Sequence, residues 1–211
     1  MEEQQKGQFL SSLGEFALIE HLTKDFPPLH AETKVGVGDD AAVLQPPEGE
    51  QMVVTTDILL EGIHFNLTYT SLVHLGYKSV VVNLSDVYAM NARPTAITVT
   101  IGVSQRFRVE QLEDLYKGIR IACREFGVDL VGGDTSASLT GLTISVTAIG
   151  FAKPEALCYR SGAKVNELIC VTGNLGAAYC GLRILELETR VFAKQPTVQP
   201  KLEGYEFVIG R

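Results

Sequence analysis

Two stretches of the chain alternate apolar and polar residues with a period of two. In 95–103 the apolar set is Ile97, Val99, Ile101 and Val103; in 142–148 it is Leu142, Ile144, Val146 and Ala148. That period predicts strands covered more heavily on one side. Between them Leu112, Leu115, Ile119, Ala122 and Phe126 recur at helical spacing, and Gly127 follows where a helix end favours glycine. Upstream, Phe16, Ile19 and Leu22 predict a short amphipathic helix over 15–22, stopped by Pro27 and Pro28. Residues 35–44 are strand-like but interrupted by Gly36, Gly38, Asp39 and Asp40. A turn at 46–49 follows, then a strand through Met52, Val53 and Val54 that should end at Asp57. A short strand over 129–131 runs into Gly132, Gly133 and Asp134.

The helix expected over 72–90 is unusual. Val80, Val81, Val82, Leu84, Val87, Tyr88 and Met90 make it apolar nearly all round, which predicts burial. Yet Ser79, Asn83 and Asp86 lie at i, i+4 and i+7 and share a face. A buried polar stripe needs partners, because an unpaired carboxylate away from water is very costly. A bound cation is one such partner, and a buried Arg or Lys is the other.

The order helix, strand, strand, helix, strand, helix, strand, strand implies an α+β domain over 1–150. Past Gly150 come a connector with Pro154, Arg160 and Gly162, a strand over 167–172, a helix over 175–188, and a tail with Pro196 and Pro200. One strand and one helix cannot build a core, so 151–211 reads as the opening of a second, truncated α/β domain.

Composition narrows the class. The 211 residues are 45% hydrophobic and 20% charged, so the chain can bury a core and is not of disordered type. The net charge of −7, with no Lys/Arg run, argues against a nucleic-acid-binding face. An acidic protein can still bind ATP if metal ions offset both sets of negative charge. No apolar stretch reaches the ~20 residues of a membrane helix, and residues 1–6 lack the pattern of a signal peptide. Cys123, Cys158, Cys170 and Cys180 form no CxxC pair, which predicts buried, reduced thiols and a cytoplasmic protein.

Candidate chemistry is spread along the chain. Thr55, Thr56 and Asp57 put three oxygen-bearing side chains in a row, a donor set for a hard cation such as Mg²⁺ or a strand-end cap. Asp86 interrupts an apolar helix, as a metal ligand or half of an ion pair. Asp39 and Asp40 follow Gly38 as ligands or as a turn. Gly133 and Asp134 resemble a close-approach turn beside a phosphate, although Gly-Gly-Asp alone is a common turn. His64 could orient a substrate or be structural, and Arg160 could grip a phosphate or lie solvated. Tyr116 borders an apolar stripe and fits core packing; Glu61 could be a plain surface charge. The sequence has no GxxxxGK[ST] loop, no kinase-type glycine loop with its lysine and no GxSxG elbow. Dispersed carboxylates without a strong nucleophile point to catalysis by metal positioning and charge neutralisation.

As an ordered set, residues 36–44, 55–65, 76–90 and 130–135 closely resemble thiamine-monophosphate kinases, with 160–164 and 171–173 extending the likeness. That group sits in the superfamily of aminoimidazole ribonucleotide synthetase, selenophosphate synthetase and the hydrogenase-maturation protein HypE. The resemblance implies an α+β domain with a mixed sheet and helices on one face, dimerising through its sheet, then a C-terminal α/β domain. It implies transfer of the ATP γ-phosphoryl group to thiamine monophosphate, giving thiamine diphosphate. It places Asp40, Thr55, Thr56, Asp57, Asp86 and Asp134 on positions that bind several Mg²⁺ ions. Tyr116, Gly133, Asp134 and Arg160 fall on ATP-contacting positions and His64 on one contacting the thiamine phosphate; Asp39 is second choice to Asp40. Departures include Asn91 for a usual glycine and Asn166-Glu167 for a usual Gly-Asp. The rest of the second domain is missing, so little kinase activity is expected of these 211 residues alone. Another ATP-using member of the superfamily, or a dimerising nucleotide-binding module, are the other readings.

Overall fold

The computed structural model describes residues 14–194. Four strands form one mixed sheet in the order β3-β6-β4-β5: β3 (Gln51–Leu60), β6 (Thr143–Ala152), β4 (Arg93–Val103) and β5 (Asp129–Ala137). β6 pairs antiparallel with both neighbours, whereas β4 and β5 are parallel and joined through helix α3 (Val109–Phe126). A parallel pair needs such a crossover, because a tight hairpin cannot reverse the chain twice. Helix α2 (Leu72–Ala89) connects β3 to β4. Ahead of the sheet come α1 (Glu15–Thr23) and a two-stranded ribbon of β1 (Thr33–Val35) and β2 (Val43–Leu44).

The core lies between the sheet and helices α2 and α3. Ile97, Val99 and Ile101 of β4 and Ile144, Val146 and Ala148 of β6 meet Leu75, Val80, Leu84, Leu112, Leu115 and Ile119 in one apolar cluster. These are the sets that the period-2 and period-3.6 patterns pick out. Helices α2 and α3 touch backbone to backbone through two glycines. A Cβ at Gly76 would sit 2.0 Å from the Leu115 carbonyl oxygen, and one at Gly118 1.9 Å from that of Val73. Gly127 ends α3 in the left-handed conformation expected of it, at φ 61°.

Several expectations need correction. On α1 the buried residues are Leu18 and Leu22; Phe16 is exposed and Ile19 half-buried. β3 runs through Asp57 to Leu60, because its ladder with β6 continues unbroken over that span. β5 likewise carries Gly132, Gly133 and Asp134 within the strand, so they are not a turn. Asp86 is exposed, while Ser79 and Asn83 are fully buried and satisfied locally. Ser79 Oγ donates to Gly76 O at 2.8 Å, and Asn83 Nδ2 donates to Ser79 O at 2.9 Å. Of the cysteines, all free, only Cys123 is buried; Cys158, Cys170 and Cys180 are exposed.

The chain divides between Arg160 and Ser161 into two units. In the first, β6 leads to a 3-10 turn (Pro154–Ala156), whose Ala156 carbonyl accepts from Asn91 Nδ2 at 2.8 Å. Asn91 has φ 55°, a left-handed position that Asn tolerates. In the second, α4 (Ala177–Lys194) forms as expected, but 167–172 is not a strand. No strand among that unit's described residues can pair with it, and a lone strand leaves its backbone groups unmet. Pro196 and Pro200 lie outside the described residues. No helix among the described residues is long and apolar enough to cross a membrane.

The glycine contact generates a prediction. Gly76→Ala and Gly118→Ala should each lower unfolding free energy by about 3 kcal/mol or more, since the obstructing atoms are backbone and cannot swing away. Urea denaturation reads this directly; a midpoint equal to that of the native chain would refute the close packing.

Candidate nucleotide and metal site

Among the described residues, strand β5 is an edge of the sheet, with β4 on one side only. A cavity of about 1140 Å³ is lined by Gly132, Gly133, Asp134 and Thr135 of β5, by Thr98 and Thr100 of β4, by Ile149 of β6, and by Tyr116 of α3. Phe16, Ile19 and Phe26 close it on the α1 side, and residues 36–42 on the side of the β1–β2 connection. The Phe16 and Ile19 side chains that α1 withholds from the core therefore face this space. Helix α1 and the turn after it are fixed to α3 by His21–Glu113 (2.5 Å) and Asp25–Arg120 (2.7 Å) respectively.

One wall is apolar and the other acidic. Tyr116 is 7% exposed and meets the Phe26 ring edge-on, with centroids 6.3 Å apart. Burial pushes the Tyr116 phenol up to about 12, so it is neutral at ordinary pH. Asp39, Asp40 and Asp134 line the same cavity, and no basic side chain among the described residues pairs with any of them. Asp39 Oδ1 accepts the Asp40 amide at 2.8 Å. The glycine requirement at 133 comes from its backbone: at φ 156° a Cβ there would point at β4 and lie 1.8 Å from the Val99 carbonyl oxygen. The close approach read from sequence is thus to the neighbouring strand.

A second polar group sits at the opposite sheet edge. Thr55 Oγ1 donates to Asp86 Oδ2 at 2.9 Å, linking β3 to the end of α2. The Asp57 amide donates to Asn83 Oδ1 at 2.9 Å, so the buried Asn83 satisfies an outward N–H of an edge strand. Thr55 and Asp57 pair with Ala148 and Val146 on the helix-covered face, whereas Thr56 pairs with Thr147 on the other, their hydroxyls 3.1 Å apart. Asp134 pairs with Thr100 on that second face. From β3 to β5 are three strand spacings, about 14 Å. The candidate metal residues thus fall into two groups, Thr55, Asp57 and Asp86 at one edge and Asp40 with Asp134 at the other. Thr56 lies beside the first group with its hydroxyl on the opposite face. No set of three or more His, Cys, Asp or Glu side chains among the described residues converges on one metal position.

His64 does not line the cavity. It sits in the turn after β3, where its Nδ1 accepts the Leu60 amide at 3.0 Å and its carbonyl accepts from Lys78 Nζ at 2.9 Å. Accepting at Nδ1 leaves the proton on Nε2, which can donate to an anion. Arg160 is exposed at the end of the first unit. Glu61, read as a plain surface charge, accepts the Leu142 amide at 2.9 Å and pairs with Arg106, closing the β3–β6 end of the sheet.

Residues 38–152, more than half of the chain, match the model of a family described as AIR synthase related protein, N-terminal domain. The chain belongs to this family. It is 36% identical over 177 residues to the thiamine-monophosphate kinase of Bacillus subtilis, covering 84% of this chain and 54% of that protein. Among solved structures, thiamine-monophosphate kinase from Stenotrophomonas maltophilia K279a superposes with a TM-score of 0.71 at 31% identity, over 90% of this chain and 57% of the other. AaThiL complexed with AMPPCP and TMP superposes with a TM-score of 0.63 at 30% identity, over 97% and 64%. The chain spans about half the length of the curated relatives it matches. The AIR synthase related segment contains Asp40, Thr55, Thr56, Asp57, His64, Asp86, Tyr116, Gly133 and Asp134; Arg160 lies beyond it.

The raised Tyr116 phenol sets a pH dependence. Its folded value, about 12, exceeds the ordinary 10.0, so its contribution to stability is complete below pH 10 and is lost as pH rises through 12. Native protein should therefore lose thermal stability over that window, and Tyr116→Phe should lose less. Equal alkaline losses would show that the phenol is not held away from water.

Proposed function

We propose that this chain supplies the nucleotide- and metal-binding part of a Mg²⁺-dependent kinase that transfers the γ-phosphoryl group of ATP to thiamine monophosphate, giving thiamine diphosphate and ADP. One observation carries the reading: a cavity beside β5 joins an apolar wall to carboxylates without a basic partner among the described residues, in a chain similar to AaThiL, which was solved with AMPPCP and TMP. The wall of Tyr116, Phe26 and Ile19 suits a nucleobase, and the backbone at Gly132 and Gly133 lets phosphates approach.

The donor set fits magnesium. This ion is commonly held by one or two carboxylates, with phosphate oxygens and water completing its shell, so no all-protein cage is needed. We assign Asp40 and Asp134, with Asp39 beside them, to metal on the cavity side. Thr55, Thr56, Asp57 and Asp86 are assigned to metal at the β3 edge. When bound, Mg²⁺ neutralises charge on the phosphates and aligns them for in-line transfer. Arg160 is assigned to the nucleotide phosphates. His64, with its proton on Nε2, is assigned to the phosphate of thiamine monophosphate, which then serves as nucleophile. The protein's own contribution is orientation: the Asn83 carboxamide fixes the backbone at Asp57, and Leu60 fixes the His64 ring.

Met52, Val54 and Ile58 leave apolar surface exposed along β3, which supports pairing of two copies through the sheet as a homodimer. The exposed free thiols at Cys158, Cys170 and Cys180 suit a reducing compartment, and we place the reaction in the cytoplasm.

The test is direct. The full-length enzyme of which this chain is a part, incubated with ATP, Mg²⁺ and thiamine monophosphate, should form thiamine diphosphate. Asp57→Asn and Asp134→Asn should each slow this by about 10–100-fold or more while retaining the native fold. Failure of the native protein to make thiamine diphosphate would overturn the substrate assignment. Full activity of either variant would overturn the metal role of that residue.

A further inference from the structure

The cavity has two acidic sides that arise nearly a hundred residues apart, and a third carboxylate joins them. Asp129 opens β5 and is 2% exposed. Its Oδ1 accepts the Leu29 amide at 2.5 Å, and its Oδ2 accepts the His30 amide at 3.2 Å and the Thr33 hydroxyl at 2.6 Å. A buried carboxylate is stable only when its lone pairs are met, and three donors from one short segment meet these. That segment is the root of the β1–β2 ribbon, which pairs Thr33 with Leu44 and Val35 with Val43. The connection between its strands, 36–42, carries Asp39 and Asp40 into the cavity. Five residues on from Asp129 along β5, Asp134 enters the cavity from the other side.

We propose that Asp129 is a positioning residue: its buried carboxylate anchors the ribbon that carries Asp39 and Asp40, and so sets their placement opposite Asp134. Asp129 does not itself line the cavity. The chemistry is specific to a carboxylate. Asparagine would keep the volume but offer one acceptor oxygen in place of two, and would turn an NH₂ toward existing donors. The anchor is local to the protein; its consequence for ligand affinity rests on the nucleotide reading above.

The experiment separates the two. Full-length Asp129→Asn and Thr33→Val are compared with native protein and with Val87→Ala, a core truncation on α2 away from the ribbon. Hydrogen exchange across 29–42 and equilibrium binding of Mg²⁺–ATP are both measured below the melting temperature of every variant. Asp129→Asn should speed exchange across 29–42 by about tenfold or more, as local opening no longer breaks three bonds. It should weaken Mg²⁺–ATP by about tenfold, or 1.4 kcal/mol. Thr33→Val should change both in the same direction by less, and Thr33→Ser should restore both. Val87→Ala should lower the melting temperature with neither change. Unchanged exchange in Asp129→Asn and Thr33→Val, or faster exchange with unchanged affinity, overturns the proposal. If Asp129→Asn does not fold, the Thr33 pair alone decides it. If native protein does not bind Mg²⁺–ATP, the nucleotide reading fails, and exchange still decides the anchor.

Discussion

A strand edge left open is the constraint from which the candidate site follows. β5 pairs on one side with β4, and among the described residues its other side carries no ladder. Gly133, at φ 156°, has a backbone conformation that would aim a Cβ into the Val99 carbonyl of β4, so that position admits no side chain. The strand therefore offers a stretch of bare backbone beside a roomy cavity, with a carboxylate immediately after it. Such an edge would normally be a liability for aggregation. Beside it, α1 and the 36–42 connection wall a cavity to which β5 contributes Gly132, Gly133 and Asp134.

The carboxylates obey a related logic. Six candidate metal residues spread over two sheet edges about 14 Å apart cannot grip one ion. They can serve separate ions that share their shells with phosphate oxygens, as magnesium commonly does. Polar side chains that are buried or half-buried meanwhile provide the framework. Asn83 holds the backbone at Asp57, Asp129 holds the ribbon, and Glu61 ties the far end of β3 to β6. Asn83 both accepts from the Asp57 amide and donates to the Ser79 carbonyl, and Asp129 accepts from three donors, which is the condition for burying them.

Much of this was legible in the sequence. Period-2 alternation in 95–103 and 142–148 marks the two central strands, and the α3 stripe marks the helix packed on them. The α+β class and the motif order were readable for the same reason: burial imposes its period on the residues. The errors share a cause as well. Gly132 and Gly133 look like a turn because local propensity cannot reveal a neighbouring strand that requires glycine. Phe16 looks like core because its spacing fits a stripe, yet it belongs to a cavity wall. Asp86 looks buried because its helix is apolar, although it lies at the exposed end. Asp129 and Glu61 left no signal, since a single acid beside a strand gives no hint of which distant amides it will accept.

The central claim is that metal-bound nucleotide occupies the cavity along β5. Substoichiometric Mn²⁺ with ATP, followed through relaxation of assigned backbone amides, tests it most directly. The account predicts selective broadening at 36–42 and 132–135, abolished in Asp134→Asn. Broadening confined to other surfaces, or identical in the variant, would contradict it.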